Sequence, residues 1–124
     1  MDITLTAENK DEYLLIATTG NLETVEDLLM HADLIYQEFL KYGAKKVLLD
    51  LQETTFPKNL FSYLDLVNHY ISDFSQELQS IKLAVVVTKE YENIGEFWET
   101  VCNNRGYEFF AFTSYEKAHD WLMK

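Results

Sequence analysis

Cysteine, proline, arginine and glycine are scarce in this 124-residue sequence, which has one, one, one and four of them respectively. The single cysteine, Cys102, excludes an internal disulfide. So few turn-forming residues argue against a sandwich of many short strands and favour long helices with short loops. The lack of arginine and the formal net charge of −11 make nucleic acid a poor partner, because its phosphates would be repelled.

Long apolar runs are also absent. No run approaches the ~18 residues that suggest a membrane span, and the N-terminus lacks the basic and apolar stretches of a signal peptide. We therefore expect a cytoplasmic protein without an integral membrane segment. Hydrophobic residues make up 48% and charged residues 25% of the chain, which is typical of a folded globular protein. The length predicts one domain over residues 1–124.

The sequence contains none of the common motifs for catalysis or cofactor binding. His31, His69 and His119 lie on three different predicted helices, each without a second ligand at metal-binding spacing. His31 and His69 are interpreted as residues of polar helix faces or boundaries. Cys102 shares a helical face with Trp98 and is interpreted as a core residue. Phosphate-binding glycine loops and nucleophile elbows are absent, so we expect no metal, no cofactor and no enzymatic activity.

Apolar periodicity predicts five β-strands. Alternating apolar and polar residues near the N-terminus predict a hairpin of two strands. Two of the later apolar runs are too continuous for a strand with one wet face, and they predict central strands covered on both faces. The predicted strands span residues 2–6, 13–17, 46–51, 83–87 and 107–112.

Four helices are predicted between and after these strands. With the strands they predict an α/β fold, a mixed and mostly parallel sheet of about five strands with about four helices and right-handed crossovers. A Trp in the last helix, Trp121, is predicted to be largely buried against the sheet edge. The predicted helices are 22–42, with Asn21 or Thr24 as N-cap and Gly43 at its C-terminus; a helix that begins at Pro57 and continues to Leu78; a helix that contains Ile94 and Cys102 and ends near Gly106; and a terminal helix after a Thr113–Glu116 capping box.

The first two predicted helices have apolar faces wider than one stripe. A wide face either packs on two sides within a core or contacts a partner. The sequence thus leaves open a homodimer, held by aromatic residues such as Phe61 and Tyr63, or an apolar groove. The predicted core face of the first helix consists of Leu22, Val25, Leu29, Ala32, Tyr36 and Phe39, and it is widened by Leu28, Ile35 and Tyr42.

One loop is the predicted functional surface. It spans 52–58 and follows Asp50 at the carboxyl end of a predicted buried strand, where open α/β sheets bind ligands. Asp50 is interpreted as a cap for loop amides rather than a catalytic acid, because no partner base accompanies it. The loop is expected to contact its partner or ligand mainly through Phe56 and backbone groups, and alanine at both Thr54 and Thr55 to leave the fold intact. The predicted surface comprises Asp50, Thr54, Thr55, Phe56, Lys58, Phe61 and Tyr63.

The sequence resembles the SpoIIAA-like family, whose STAS-type fold is related to anti-sigma factor antagonists. The resemblance rests on Val47–Leu51 followed by a helix, on Leu83–Val87, and on the ending Phe112–Leu122 with Ala118 and Trp121. It covers nearly the whole chain. Antagonists of this type carry an Asp-Ser-x-Gly turn whose serine is phosphorylated, whereas the matching residues 50–55 contain neither that serine nor that glycine.

The resemblance implies a non-catalytic cytoplasmic module that regulates a protein partner. The SpoIIAA-like branch is also similar to lipid-carrying domains of the Sec14 type. The alternative function is therefore a carrier of a lipid or other small apolar ligand between the helices. An enzyme that uses Asp50 ranks behind both.

Overall fold

Five strands form one mixed sheet in the part of the chain that the computed structural model describes, residues 3–57, 80–104 and 106–124. Their spatial order follows the sequence, β1-β2-β3-β4-β5. β1 runs antiparallel to β2, and all other neighbours are parallel, so the predicted mixed, mostly parallel α/β sheet is confirmed. The strands are β1 Ile3–Asn9, β2 Leu14–Asn21, β3 Lys46–Thr55, β4 Lys82–Val86 and β5 Glu108–Phe112.

Three α-helices lie within the same described ranges. They are α1 Val25–Tyr42, α2 Glu92–Asn104 and α3 Tyr115–Leu122, and a 3-10 turn at Lys89–Tyr91 precedes α2. The helix predicted to begin at Pro57 and continue to Leu78, with Lys58, Phe61, Tyr63, His69 and Tyr70, lies outside the described residues beyond Pro57 itself.

Both ends of α1 are capped by predicted residues, Thr24 at the N-terminus and Gly43 at the C-terminus. The Thr24 hydroxyl accepts from the Asp27 amide, and the Asp27 carboxylate accepts from the Thr24 amide, which forms a reciprocal capping box. Gly43 ends the helix in the left-handed conformation at φ 59°, which glycine adopts without steric cost. Leu22, predicted to begin the helix, instead lies directly after β2 and donates its amide to the Thr55 carbonyl.

The predicted cap of α3 is wrong by one residue. Ser114, rather than Thr113, is the N-cap, because its extended backbone lets the hydroxyl accept from the Lys117 amide. Trp121 lies against the edge strand β5 as predicted, but it is only partly buried. Its ring packs on Phe110 and Phe112, with centroid distances of 5.1 and 5.8 Å.

Two cores lie on opposite faces of the sheet. The larger one is covered by α1 and α2, and it includes Ile16 of β2 and Val85 of β4. The smaller one lies under α3, with Leu48, Ala84, Val86, Ala118 and Leu122 as its buried members. Residues of one strand alternate between the two cores, which explains why the central strands are apolar throughout.

The buried face of α1 differs from the predicted one. Its buried residues are Leu28, His31, Ile35 and Phe39, whereas Leu29 and Tyr36 of the predicted face are only partly buried. The interpretation of His31 as a residue of a polar face or of its boundary is therefore wrong, because the side chain is buried. A buried histidine requires a hydrogen-bond partner, and β2 supplies one.

A bulge in β3 changes which side chains face the larger core. Ala17 pairs with Asp50 and Thr19 pairs with Glu53, so β3 contains one residue more than β2 between these pairs. Leu51 and Thr54 are both buried although they are three positions apart, an interval that places residues of a regular strand on opposite faces. The bulge therefore brings Thr54 into the core.

The outer edge of β5 is covered by side chains of α2. The amides of Phe109 and Ala111 donate to Asn103 Oδ1 and Glu99 Oε2, at 3.3 and 3.4 Å. Asn103 and Glu99 are four residues apart and hence neighbours on one helix face. Two amides that would otherwise be open at the sheet edge thus have acceptors.

Candidate functional site

An apolar cavity of about 140 Å³ lies between the sheet and the helices α1 and α2. Among the described residues that line it, six come from α1, two from α2 and the rest from the strands and their flanking residues. Most of them are aliphatic or aromatic, a composition typical of small-molecule sites. The lining residues are Leu28, His31, Ala32, Ile35, Tyr36, Phe39, Leu49, Leu51, Phe56, Ile81, Leu83, Val85, Trp98, Cys102, Tyr107, Glu108 and Phe109.

The larger core supplies most of the described wall of the cavity. Leu28, Ile35, Leu51, Phe56 and Val85 all line it, and none of them exposes more than 7% of its surface. The apolar wall gives a molecule inside the cavity few polar partners. The polar atoms that do reach the wall therefore decide which molecules fit.

Trp98, one of the lining residues, contains a polar atom that has almost no surface open to the cavity. Its Nε1 is buried and has no hydrogen-bond partner within the described part of the chain. The ring is held by Phe56, at a centroid distance of 5.6 Å with the planes 70° apart. A buried indole N–H without a partner costs free energy, because the same group is hydrogen-bonded to water when the chain is unfolded.

His31 belongs to a buried hydrogen-bond network with Thr18 and Thr54, which we name the His31 network. His31 Nε2 lies 3.1 Å from Thr18 Oγ1, which in turn lies 2.6 Å from Thr54 Oγ1. The Thr54 hydroxyl donates to the Thr18 carbonyl oxygen at 2.9 Å. The network thus connects α1, β2 and β3 at the bulge.

The direction of each hydrogen bond in this network follows from proton counting. A hydroxyl has one proton to donate, and Thr54 gives its proton to a carbonyl oxygen, which can only accept. The Thr18 hydroxyl must therefore donate to Thr54, and it has no proton left for His31. His31 donates from Nε2, so its neutral form carries the proton on that atom.

Burial keeps His31 neutral. Desolvation lowers its pKa from 6.5 to about 4, because the imidazolium would lose its water in an apolar surrounding. The neutral ring satisfies Thr18 with its one proton. His31 therefore contributes a polar but uncharged group to the cavity wall.

Among the described residues of the predicted surface, Asp50, Thr54, Thr55 and Phe56 do not form one exposed patch. Thr54 is only 1% exposed, and Phe56 is 6% exposed and packs on Tyr91 and Trp98. Neither side chain is an accessible contact for a protein partner, because the bulge and the larger core enclose both. Phe56 instead forms part of the cavity wall.

Asp50 and Thr55 lie away from the cavity. The Asp50 carboxylate accepts from the Gln52 amide at 3.1 Å, the capping role that the sequence favoured. Asp50 also lies near Tyr115 of α3, where desolvation and the hydroxyl of Tyr13 raise the pKa of Tyr115 to about 12, with a smaller effect of Asp50. Thr55 is exposed and donates to Asn21 Oδ1. Lys58, Phe61 and Tyr63 are outside the described residues.

Sequence reasoning missed Thr18, the His31 pairing and the unpaired donor of Trp98. Two local signals were available. Thr18 continues the inward-facing series of Leu14 and Ile16 in β2, and His31 lies three residues after Leu28 on α1. Neither signal identifies a partner, because the partners are distant in sequence.

Comparison with known proteins identifies the fold. Neither a protein-family model nor a curated protein matches the sequence. Among solved structures, an anti-sigma factor antagonist from Mycobacterium paratuberculosis matches with a TM-score of 0.65 and 11% identity, over 99% of this chain and 96% of that chain. An uncharacterized protein with a SpoIIAA-like fold from Shewanella loihica matches with a TM-score of 0.54 and 20% identity, over 97% and 93%. This chain has a SpoIIAA-like fold.

The described parts of this SpoIIAA-like chain contain neither a metal-binding cluster nor a membrane-spanning helix. No group of three or more His, Cys, Asp or Glu residues there is arranged to hold a metal ion. None of the helices there is long and apolar enough to cross a membrane.

The His31 network makes a prediction for the stability of the SpoIIAA-like fold. Thr54→Val keeps the side-chain shape but removes the hydroxyl, which leaves the Thr18 carbonyl without that donor and the Thr18 hydroxyl without its acceptor. We expect the free energy of unfolding to fall by about 1–3 kcal/mol in urea denaturation. The sequence predicted that alanine at both Thr54 and Thr55 would leave the fold intact, whereas the buried hydrogen bonds of Thr54 predict a loss of stability.

The matched control is Thr55→Val on the exposed neighbour. Its side chain is outside the core, so a change within about 0.5 kcal/mol is expected. Equal decreases in the free energy of unfolding for the two variants would show that the hydrogen bonds of the buried Thr54 hydroxyl do not stabilise the fold.

Proposed function

We propose that this chain is a regulatory module that acts by binding a protein partner and does not catalyse a reaction. The observation that carries the proposal is the likeness to the anti-sigma factor antagonist over 99% of this chain and 96% of that chain. A SpoIIAA-like fold hosts function in surfaces rather than in the fold itself, so the partner must be sought at a specific surface.

The exposed residues at the carboxyl end of β3 support placing the partner-binding surface there. Gln52, Glu53 and Thr55 are exposed there, and Asp50 lies beside them half-buried. Thr55 is held by Asn21 at the end of β2, which fixes its side chain. Among the described residues of the predicted surface, Asp50 and Thr55 thus remain accessible, and the partner contacts these polar groups rather than Phe56.

Site-specific photo-crosslinking tests this surface. A photoreactive side chain is placed at Glu53 or Thr55, and the protein is irradiated in its native cells. The matched control position is Glu12, which is also exposed but precedes β2 and so lies at the opposite end of the parallel strands. We expect one protein to be crosslinked from Glu53 and Thr55 and not from Glu12. Identical adducts from all three positions, or no adduct, would contradict the proposal.

A second candidate function, carriage of a small apolar ligand, is supported by the cavity. Its volume of about 140 Å³ is too small for a phospholipid. Of the ligands that the sequence suggested, a lipid or another small apolar molecule, the cavity therefore favours the small molecule. Native mass spectrometry of the purified protein tests it. A retained small mass supports the function, and its absence after exposure to native cell extract counts against it.

A further inference from the structure

We infer that this chain forms a symmetric dimer in which β1 pairs antiparallel with β1 of a second copy and joins the two sheets edge to edge. The junction is distinct from the proposed partner surface on β3, because β2 lies between them. Three properties of β1 support the inference. Its outer edge is open, most of its residues are uncharged, and its sequence is complementary to itself in the antiparallel direction.

The two edges of the sheet differ in how their backbone amides are used. β1 and β5 are the outer strands of the described sheet. Asn103 and Glu99 accept from two amides of β5, whereas no side chain in the described ranges accepts from an amide of β1. β1 is seven residues long and pairs with β2 without a bulge. Such an edge presents alternate amides and carbonyls with which another strand can pair.

The charge distribution favours contact at β1. Residues 3–7 carry no charge, although the formal net charge of the chain is −11. Two molecules of this charge repel each other, so close contact is least unfavourable where neither contributes a charge. Lysine and proline commonly protect edge strands against pairing, and β1 contains neither. A second copy can therefore approach this edge at low electrostatic cost.

An antiparallel pair centred on Thr6 matches side chains of the same kind. Leu5 then lies opposite Ala7 of the second copy, and both pack against the larger core while only partly buried. On the other face of the sheet, Thr6 lies opposite Thr6 and Thr4 lies opposite Glu8. The pairing extends the apolar core across the junction, and it places no two like charges opposite each other.

α1 adds apolar surface beside this junction. It contacts β1, and its Tyr42 shares the wall of a surface pocket with Asn9 at the end of β1. Tyr36 lines the cavity on the side of α2, and Leu34 lies about 200° around the helix axis from it, on the side of β1. Leu34 is 38% exposed and in the middle of α1, as Thr6 is in the middle of β1.

The symmetry of the dimer makes use of this leucine. A two-fold axis through Thr6 keeps the α1 helices of both copies on the same face of the joined sheet and turns their Leu34 side chains towards each other. One pair of strands alone makes a small interface, and the contacts of α1 enlarge it.

Sedimentation equilibrium at high micromolar concentration tests the dimer. Thr6→Glu places two carboxylates opposite each other at the centre of the junction, so we expect the dissociation constant to rise at least about tenfold. Thr19→Glu is the matched control. Thr19 is exposed on the same face of the sheet but belongs to β2, one strand away from the edge, so this variant should dimerise like the unaltered protein.

A cysteine at the centre of the junction tests the register. Opposite residues of antiparallel strands have Cα atoms about 4.5–5.5 Å apart, which is within the range of a disulfide. Oxidised glutathione should convert Thr6→Cys to a covalent dimer. It should leave Thr19→Cys and the unaltered protein, whose Cys102 is buried, without an intermolecular bond.

These measurements can overturn the inference in three ways. The unaltered protein could sediment as a monomer throughout the concentration range. It could form a dimer that Thr6→Glu leaves intact or that Thr19→Glu weakens equally, which would place the interface elsewhere or assign the effect to net charge. It could also form a dimer in which Thr6→Cys does not crosslink, which would exclude the antiparallel pairing centred on Thr6.

Discussion

The stability of this protein should fall by about 3 kcal/mol as the pH drops from 6.5 to 4, on account of His31 alone. Burial lowers the pKa of His31 to about 4 in the folded chain, whereas the unfolded chain keeps a value near 6.5. Between these values the unfolded state binds a proton that the folded state does not. Acid therefore favours unfolding between pH 6.5 and 4. Well above pH 6.5 the His31 ring is neutral in both states, so it no longer makes the free energy of unfolding depend on pH.

A histidine comparison isolates this contribution from the carboxylates that titrate in the same range. Urea denaturation is measured at several pH values for the unaltered protein, His31→Gln and His119→Gln. His31→Gln should lose the steep part of the pH profile, although it is less stable at pH 7. His119 is only partly buried and on α3, so His119→Gln should retain the profile. A steep profile that survives in His31→Gln would assign the effect to other groups.

Trp121→Ala should lower the free energy of unfolding by about 2–3 kcal/mol, less than the ~3–5 kcal/mol typical of a fully buried aromatic residue. The ring is partly exposed, but it packs on Phe110 and Phe112 and lies 4.5 Å from Lys82 Nζ. Lys82 also donates to the Trp121 carbonyl at 2.8 Å, and this bond survives the substitution because it uses the backbone. The measured decrease in the free energy of unfolding is therefore due to the loss of the side-chain contacts.

Trp121→Phe is the control for this prediction. It keeps one ring over β5 and should lose less than half as much stability in thermal or urea unfolding. A loss below about 1 kcal/mol for Trp121→Ala would mean that the ring contributes as little as an ordinary surface residue.

The sequence predicted the order of the described elements because short-range patterns determine them. The apolar alternation of the hairpin, the Thr24 cap and Gly43 are local signals, and the structure confirms each. The helix face was wrong because His31 was counted as polar. Its burial depends on Thr18, thirteen residues away, and no helical periodicity contains that information.

The candidate site was less predictable than the fold. Thr54 was assigned to a loop, but the bulge opposite Thr18 extends β3 to Thr55 and buries the Thr54 hydroxyl. The bulge shifts the alternation of buried residues by one position, but the residue it buries is a polar threonine, so the apolar pattern of the sequence does not show the shift. The cavity was equally hidden, since a void depends on how side chains from several elements fail to fill a volume. Asp50 was predictable because its role is local, an acceptor for an amide two residues later.

The side chains of Asn103 and Glu99 in α2 affect whether a second protein chain can pair with the β5 edge of the sheet. A strand from another chain gains its affinity at a sheet edge by pairing with free backbone amides. At β5 two of these amides already donate within the molecule, so an incoming strand must first displace both side chains. The edge is thus protected against growth of the sheet into a second molecule. A partner that binds at β5 must then be recognised by side chains, and the tendency to form intermolecular β-structure at this edge is low.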